Sequence, residues 1–251
     1  MRATTLPWRV LVPVKDAAQA KSRLDHPERG ALFTAMTEDV LAVAVTVVGR
    51  DQVVTVTDHG RGLDGDVLAA AAVLDDPHSP VAVLMGDLPA IRPAELRSAL
   101  SRAGEHERAV VADASGAGTA LLTANDAVRL APSYGSGSRA RHADLGAADL
   151  TAAAGPGLRR DVDTADDLAA AVALGVGPAT AAVLGARTGA TAATYDPGSG
   201  AGTALTDAGE PIVLPAGPLA AAGLLRLRPG QRLTAWIEGG RALAVRVGPT
   251  R

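Results

Sequence analysis

Residues 81–103 have the sequence VAVLMGDLPAIRPAELRSALSRA, and this stretch decides the fold class. It begins with a short, continuous apolar run, turns at Gly-Asp-Leu-Pro, and continues into a helix-like segment in which Pro93 suits the first turn. Such an apolar run is typical of a strand that is buried on both faces of a sheet. The stretch therefore predicts a strand at 81–85 and a helix at 93–103.

The same alternation recurs on both sides of this unit. Further strands are predicted at 9–14, 52–57, 108–113, 118–123 and 158–162, and a further helix at 31–48. Short buried strands that alternate with helices indicate an α/β domain, with a mostly parallel sheet and helices on both of its faces. In such sheets, ligands bind beyond the carboxyl ends of the strands.

The pattern changes near residue 185. The turn sequences DPGSG, DAG, RPGQ and EGG then separate short apolar runs, which is typical of a small all-β barrel. We therefore expect an α/β domain at 1–185 and a small barrel domain at 189–248.

Composition excludes several kinds of site. The 251 residues include no cysteine, which excludes disulfides, thiolate nucleophiles and cysteine-ligated zinc. The net charge of -3 provides no overall field that would attract nucleic acid or an anionic membrane. No apolar run approaches the roughly 20 residues of a membrane span. We expect a soluble, cytoplasmic protein that does not associate with membranes.

Acidic residues follow two of the predicted strands. Asp87 comes two residues after the run at 81–85, and Asp161 and Asp163 lie at the end of the run at 158–162. Carboxylates that meet at strand ends suit Mg²⁺, which prefers oxygen ligands. For Asp163, an equally strong interpretation is an N-cap, at Asp163 or at Thr164, for the helix that follows.

Three cations follow the first predicted strand. Lys15, Lys21 and Arg23 lie in VPVKDAAQAKSRLD, residues 12–25, and they can converge at the carboxyl end of the strand if the chain curls over it. Taken alone, the segment is more typical of a solvated basic face than of a site.

A further candidate site contains glycine and hydroxyl side chains. Thr119 opens a predicted strand, and Gly135 and Ser138 lie in SYGSGSRARH, where they can offer N–H and O–H groups to a phosphate or carboxylate, with Arg139 and Arg141 nearby. The alternative is a flexible glycine-serine loop. His142, at the end of this sequence, is interpreted as a residue on a helix surface.

Five motifs in order resemble one known family. VPVKDAAQAKSRL, GDLP, GAGTALL, YGSGSRARHADLGA and LRRDVDTADDL resemble motifs of the guanylyltransferases of coenzyme F420 biosynthesis, over roughly residues 9–178. The resemblance implies a nucleotide-diphospho-sugar-transferase-like, Rossmann-like fold. It also implies transfer of GMP from GTP to phosphoenolpyruvate or 2-phospho-L-lactate, with release of pyrophosphate.

The resemblance also implies roles for three sets of residues. Mg²⁺ would be held by Asp87, Asp161 and Asp163. The phosphorylated acid would contact Thr119, Gly135 and Ser138. The triphosphate and the departing pyrophosphate would be bound by Lys15, Lys21 and Arg23.

The segment at 58–81 departs from the family pattern. It is shorter by about one helix and strand, and Asp64 stands where asparagine is usual. Two alternatives therefore remain open: a catalytically weakened paralogue that binds nucleotide or a protein partner, and another nucleotidylyltransferase of the same fold.

The C-terminal segment resembles a cold-shock domain, a five-stranded OB-type barrel. Such domains stack bases on aromatic side chains. The corresponding positions are here occupied by Ala201, Thr203, Val213, Pro215 and Ala216. We therefore expect no nucleic-acid binding, and favour a role in packing or in homo-oligomer formation.

Overall fold

The computed structural model describes residues 8–14, 29–184 and 187–247. The three cations Lys15, Lys21 and Arg23 lie outside the described residues. Their predicted role in binding triphosphate therefore stays a prediction.

The first part of the chain alternates strands and helices, as expected. Its strands are β1 (Arg9–Val14), β2 (Val53–Thr57), β3 (Val81–Leu84), β4 (Arg108–Ala112), β5 (Thr119–Ala124) and β6 (Ala148–Asp149). Its α-helices are α1 (Arg29–Val48), α2 (Gly62–Ala72), α3 (Pro93–Ala103), α4 (Ser138–Asp144), α5 (Pro156–Arg159), α6 (Ala165–Leu174) and α7 (Pro178–Val183). Short 3₁₀ helices lie at Arg50–Gln52, Ala127–Arg129 and Thr151–Ala153.

Six strands form one mixed sheet in the order β2-β1-β3-β5-β4-β6. The pairs β1–β2, β1–β3 and β4–β6 are parallel, whereas β5 is antiparallel to both of its neighbours. The six residues between β4 and β5 are too few for a crossover, so these two strands form a hairpin. As a result, the amino end of β5 lies at the same edge as the carboxyl ends of β3 and β4.

Helices cover both faces of this sheet, which confirms the predicted layering. Val10 and Val12 of β1 face a core that includes residues of α1 and α3. Leu11, between them, faces a second core to which α2 contributes Val67 and Ala71. Because alternate residues of a strand point to opposite faces, one apolar strand can contribute to both cores.

The predicted strand at 158–162 is wrong. Pro156 begins the short helix α5, which ends at Arg159. Residues 160–163 then form no strand. The edge of β4 is instead occupied by β6. Proline suits a first helical turn and cannot donate to a strand ladder, and this favours the helical turn at the start of the segment.

Helix α1 is the one described helix that is long and apolar enough to cross a membrane. In the fold it is packed against the sheet and α3, and Leu32, Met36 and Val40 are fully buried. Its composition is therefore explained by its position in the core.

The second part of the chain forms a closed barrel in the order β10-β11-β9-β8-β7. Its elements are β7 (Arg187–Asp196), β8 (Ala201–Thr206), β9 (Pro211–Leu214), α8 (Ala216–Ala221), β10 (Arg232–Glu238) and β11 (Arg241–Val247). A small all-β barrel is thus observed, whereas its likeness to cold-shock domains stays a prediction.

The barrel packs on the α/β part through apolar side chains. Trp236 and Ala244 are buried in a core shared with Phe33 of α1 and Leu168 of α6. Tyr195, the other aromatic residue of the barrel, donates its hydroxyl to the carbonyl of Leu225. The ring of Trp236 therefore packs against the α/β part of the chain, where it cannot stack on a base.

Candidate functional site

A cavity of about 210 Å³ opens at the carboxyl edge of β3 and β4. Four carboxylates line it: Asp87, Asp113, Asp161 and Asp163. The hydroxyl residues Thr119 and Ser138 line it too, as does Gly135. All six metal and acceptor candidates predicted from the sequence therefore border one cavity.

Asp87 reaches the cavity through a tight turn after β3. A Cβ atom on Gly86 would lie 2.9 Å from the carbonyl oxygen of Pro13, at the end of β1. Thr37 of α1 donates its hydroxyl to the carbonyl of Gly86 at 3.2 Å. Glycine is required here because the chain passes so close to the neighbouring strand, and this passage holds Asp87 at the edge of the sheet.

One backbone hydrogen bond brings Asp161 and Asp163 to the same edge of the cavity as Asp87. The N–H of Val162, the residue between them, donates to the carbonyl of Asp87 at 3.1 Å. The side chain of Val162 is fully buried and contributes to the core that contains α6. The two acids therefore lie beside Asp87 although their segment is not a strand.

The helix cap that competed with a metal role for Asp163 belongs to Thr164. Its hydroxyl accepts from the N–H of Asp167 at 3.2 Å, and the carboxylate of Asp167 accepts in return from the N–H of Thr164. This is a capping box, which satisfies the first turn of α6. The exposed Asp163 is thus not needed as the cap.

The acidic neighbours change the ionisation of Asp161. Its pKa is raised to about 6 by burial in the first place, and then by the charges of Asp87, Asp113 and Asp163. A carboxylate crowded by other carboxylates favours its protonated form. A cation in the cavity would relieve this repulsion.

The carboxylates of this cavity offer the oxygen ligands that Mg²⁺ prefers, but they do not form a complete metal cage. Within the described residues, no three His, Cys, Asp or Glu side chains have the spacing of a metal-binding cluster. Mg²⁺ is commonly held by one or two carboxylates, with waters and substrate phosphates in the other positions. A Mg²⁺ ion at these carboxylates would therefore need waters and substrate phosphates to complete its coordination.

Asp113 was not identified from the sequence as a site residue, although its position after an apolar run indicates one. It follows the apolar run of β4 just as Asp87 follows β3. Its carboxylate accepts from the N–H of Gly118 at 2.9 Å and from the hydroxyl of Ser115 at 2.7 Å, so it also closes the hairpin to β5. Arg159 donates to its carbonyl at 2.9 Å and holds this end of β4.

The opposite wall of the cavity contains a buried hydrogen-bonded cluster. The hydroxyl of Thr119 lies 2.9 Å from that of Ser138 and 2.9 Å from Nδ1 of His142. His142 is 1% exposed, so its interpretation as a helix-surface residue is wrong. Helix α4 turns this residue toward β5, which an isolated motif could not indicate.

The two arginines near this cluster contact other groups of the protein. Arg139 forms an ion pair with Asp149 at 2.6 Å. Arg141 donates to the carbonyls of Ser133 and Tyr134 at 2.9 Å each. Its guanidinium therefore fixes the loop that precedes α4, and the expectation that these arginines assist in anion binding is not supported.

A second, smaller cavity of about 80 Å³ lies beyond β1 and β2. Thr57, Asp58 and Asp66 line it, and Leu63 borders both this cavity and the larger one. Nearby, Asp64 of α2 accepts from the N–H of Tyr134 at 2.9 Å. Helix α2 therefore connects the smaller cavity to the loop that carries Gly135 and Ser138.

Comparison with known proteins places this site in context. The family model described as "Guanylyl transferase CofC like" matches residues 8–182. A phosphoenolpyruvate guanylyltransferase of Frankia casuarinae is 39% identical, over 84% of this chain and 88% of the relative. The protein of the same name from Streptomyces coelicolor is 43% identical, over 70% of this chain and 95% of the relative.

Among solved structures, a candidate nucleotide-diphospho-sugar transferase from Desulfovibrio desulfuricans G20 is similar in part. It is 16% identical with a TM-score of 0.47, over 64% of this chain and 84% of that one. This similarity is too low to establish a shared fold.

Proposed function

Because the chain belongs to the family of CofC-like guanylyl transferases, we propose that it transfers GMP from GTP to phosphoenolpyruvate and releases pyrophosphate, as a step of coenzyme F420 biosynthesis. The relatives from Frankia and Streptomyces bear the name of this activity. The observation that carries the proposal is the shared cavity, in which four carboxylates face two hydroxyl side chains.

In the reaction, a phosphate oxygen of phosphoenolpyruvate forms a bond to the α-phosphorus of GTP. The bond from that phosphorus to the bridging oxygen breaks, and pyrophosphate leaves with the electron pair. An acceptor phosphate is already ionised at neutral pH, so the step needs no strong general base. His142 is accordingly not needed as a base, and both of its ring nitrogens form hydrogen bonds within the protein.

The carboxylates Asp87, Asp161 and Asp163 would hold Mg²⁺, which neutralises charge on the triphosphate when it is bound. Without a bound cation, the negative charges of these carboxylates would repel a triphosphate. Asp113 lies close enough to raise the pKa of Asp161, so it contributes to the same negative field.

The acceptor would lie against Thr119, Gly135 and Ser138. Buried hydroxyls suit a carboxylate or a phosphate, because they donate hydrogen bonds without adding charge. Lys15, Lys21 and Arg23 follow β1 in the chain, so they would bind the triphosphate at the same edge of the sheet.

The guanine base would lie toward the smaller cavity beyond β1 and β2. This cavity adjoins α2, the one α-helix between β2 and β3. A nucleotide-diphospho-sugar-transferase-like fold and a cytoplasmic location remain predictions that accompany this function.

The decisive assay mixes the protein with GTP, Mg²⁺ and one phosphorylated acid and measures pyrophosphate release. We expect release with phosphoenolpyruvate, and 2-phospho-L-lactate and 3-phosphoglycerate serve as competing acceptors. ATP in place of GTP tests base selectivity. Tight GTP binding without release for any acid would support the weakened paralogue instead.

A further inference from the structure

Three buried side chains form a continuous chain of hydrogen bonds that ends at the cavity lined by the four carboxylates. Nδ1 of His142, Oγ1 of Thr119 and Oγ of Ser138 are linked by two contacts of 2.9 Å. Their exposures are 1%, 7% and 2%, so all three side chains are largely shielded from bulk solvent. The hydroxyl residues line the cavity, whereas His142 lies behind them.

The backbone determines which nitrogen of His142 carries the proton. The N–H of Ser133 points at Nε2 at 2.8 Å, and a backbone N–H can only donate. Nε2 is therefore the unprotonated acceptor. In a neutral ring the proton then lies on Nδ1, which donates to Thr119.

Counting protons along the chain gives the consequence. Thr119 and Ser138 have two hydroxyl protons between them. Because Nδ1 supplies its own proton to Thr119, only one hydroxyl proton is needed for the bond between Thr119 and Ser138. The other remains free for a ligand in the cavity. With the opposite tautomer, the hydroxyl of Thr119 would donate to His142, and the one remaining proton, on Ser138, could not be donated both to Thr119 and to a ligand.

We propose that His142 is a positioning residue, which leaves one hydroxyl of the Thr119–Ser138 pair free to donate to an anionic oxygen of the acceptor acid. The proposal rests on the proposed function and deepens it, since it assigns the polarity of the acceptor site. The pair offers a free O–H donor, so it favours a ligand that presents a carboxylate or phosphate oxygen over one that presents only N–H groups at this position.

The surroundings of His142 keep the ring neutral. Burial lowers its pKa to about 4, the charge of Asp64 acts in the opposite direction, and the charge of Arg141 lowers it further. The ring of Tyr134 contacts it edge to face, with the ring centres 5.1 Å apart. A protonated ring would confront the N–H of Ser133 with a second donor.

Nitrogen NMR of the wild-type protein labelled with ¹⁵N-histidine tests the tautomer directly, since protonated and unprotonated ring nitrogens have well-separated shifts. We expect His142 to have its proton on Nδ1 at neutral pH. A proton on Nε2, or on both nitrogens, would overturn the proposal. This measurement does not depend on activity, so it remains decisive if no acid supports pyrophosphate release.

Two substitutions test the consequence for the acceptor. His142→Asn keeps an amide N–H near the position of Nδ1, and His142→Leu has no donor. The leucine variant keeps both hydroxyl protons but lacks the donor that fixes Oγ1 of Thr119, so the free hydroxyl is no longer directed at the ligand. We expect its KM for the acid to rise by about tenfold or more, as for loss of one hydrogen bond to an anion. The asparagine variant should recover much of this loss, and KM for GTP should change less than about twofold in both.

The matched control is His106→Asn, since His106 precedes β4 at the opposite edge of the sheet. It should leave both KM values unchanged. Equal damage from the leucine and asparagine variants, or equal increases in KM for acid and for GTP, would show that His142 serves only packing. Circular dichroism of each variant identifies those that fail to fold, and the NMR result then decides.

Discussion

The backbone N–H of Val162 donates to the carbonyl oxygen of Asp87 at 3.1 Å. This bond joins two segments 75 positions apart in the chain, and it brings the acids on either side of Val162 to the carboxylate that follows β3. The acidic cavity therefore depends on a loop-to-loop contact as well as on the strand ends that precede Asp87 and Asp113.

Asp161→Asn is expected to abolish pyrophosphate release. The amide keeps the size of the side chain but removes a charged ligand, so metal and triphosphate lose their partner. Stability without metal should stay the same or rise, because the substitution removes a crowded carboxylate. Steady-state kinetics and a thermal melt measure the two effects.

The matched control for this change is Asp75→Asn, at a side chain that is 95% exposed. It should alter neither rate nor melting. An Asp161→Asn protein that turns over at the wild-type rate would rule out a metal role for Asp161.

The stability of the metal-free protein should depend on pH through Asp161. Its folded-state pKa of about 6 lies above the ordinary value of 3.8. As pH falls from about 7 to about 5, the native protein binds a proton that the unfolded chain does not yet bind, so this group favours folding more at the lower pH. Mg²⁺ binding should weaken over the same range, because the proton competes with the metal.

Thermal melts across this range, with and without Mg²⁺, measure both effects. Asp161→Asn should lose the part of the pH dependence that belongs to this group. If the variant and the wild type show the same pH dependence, the buried charge is not its source.

Trp236→Ala should destabilise the whole chain by about 3–5 kcal/mol, as for other buried tryptophans. The side chain is 6% exposed and packs in the core shared by the barrel, α1 and α6. Urea unfolding measures the loss. Leu225→Ala, at a barrel residue that is 80% exposed, is the control and should have little effect.

Under the alternative that the barrel is an independent module, Trp236→Ala would unfold the barrel alone and leave pyrophosphate release intact. Loss of both would instead indicate that the barrel stabilises the α/β part.

Asp39→Ala should lower stability by about 1–3 kcal/mol and leave KM values unchanged. Asp39 is buried in α1, and its two oxygens accept from the N–H groups of Ala179 and Thr180 at 3.0 and 2.9 Å. The substitution leaves two N–H groups at the start of α7 without their acceptor. Denaturant unfolding combined with kinetics checks the result, and a large change in KM would contradict a purely structural role.

Local patterns predicted most of the elements. The apolar runs at 9–14 and 81–85 are strands to within one residue, and the helix at 93–103 has the predicted bounds. These segments are buried on both faces or have a clear helical start, so local sequence and tertiary packing favour the same structure. The strand predicted at 158–162 is absent because Leu158 lies in α5 and Val162 lies in a loop, with its side chain packed in the core that contains α6.

The sequence by itself determined which residues could do chemistry. Acids after apolar runs, glycines and hydroxyls before a short helix, and five motifs in order were sufficient to identify the family and most of the candidate site residues, Asp113 and His142 excepted. These signals are local, since each depends on residues a few positions apart.

Only the tertiary structure decided how those residues meet. The antiparallel β5 brings Thr119 to the edge where β3 and β4 end, α4 buries His142 behind it, and Asp113 joins the acids. The physical reason is that hydrogen bonds such as those from Val162 to Asp87 and from Tyr134 to Asp64 join distant segments. They form only once the chain is packed, and no spacing in the sequence records them.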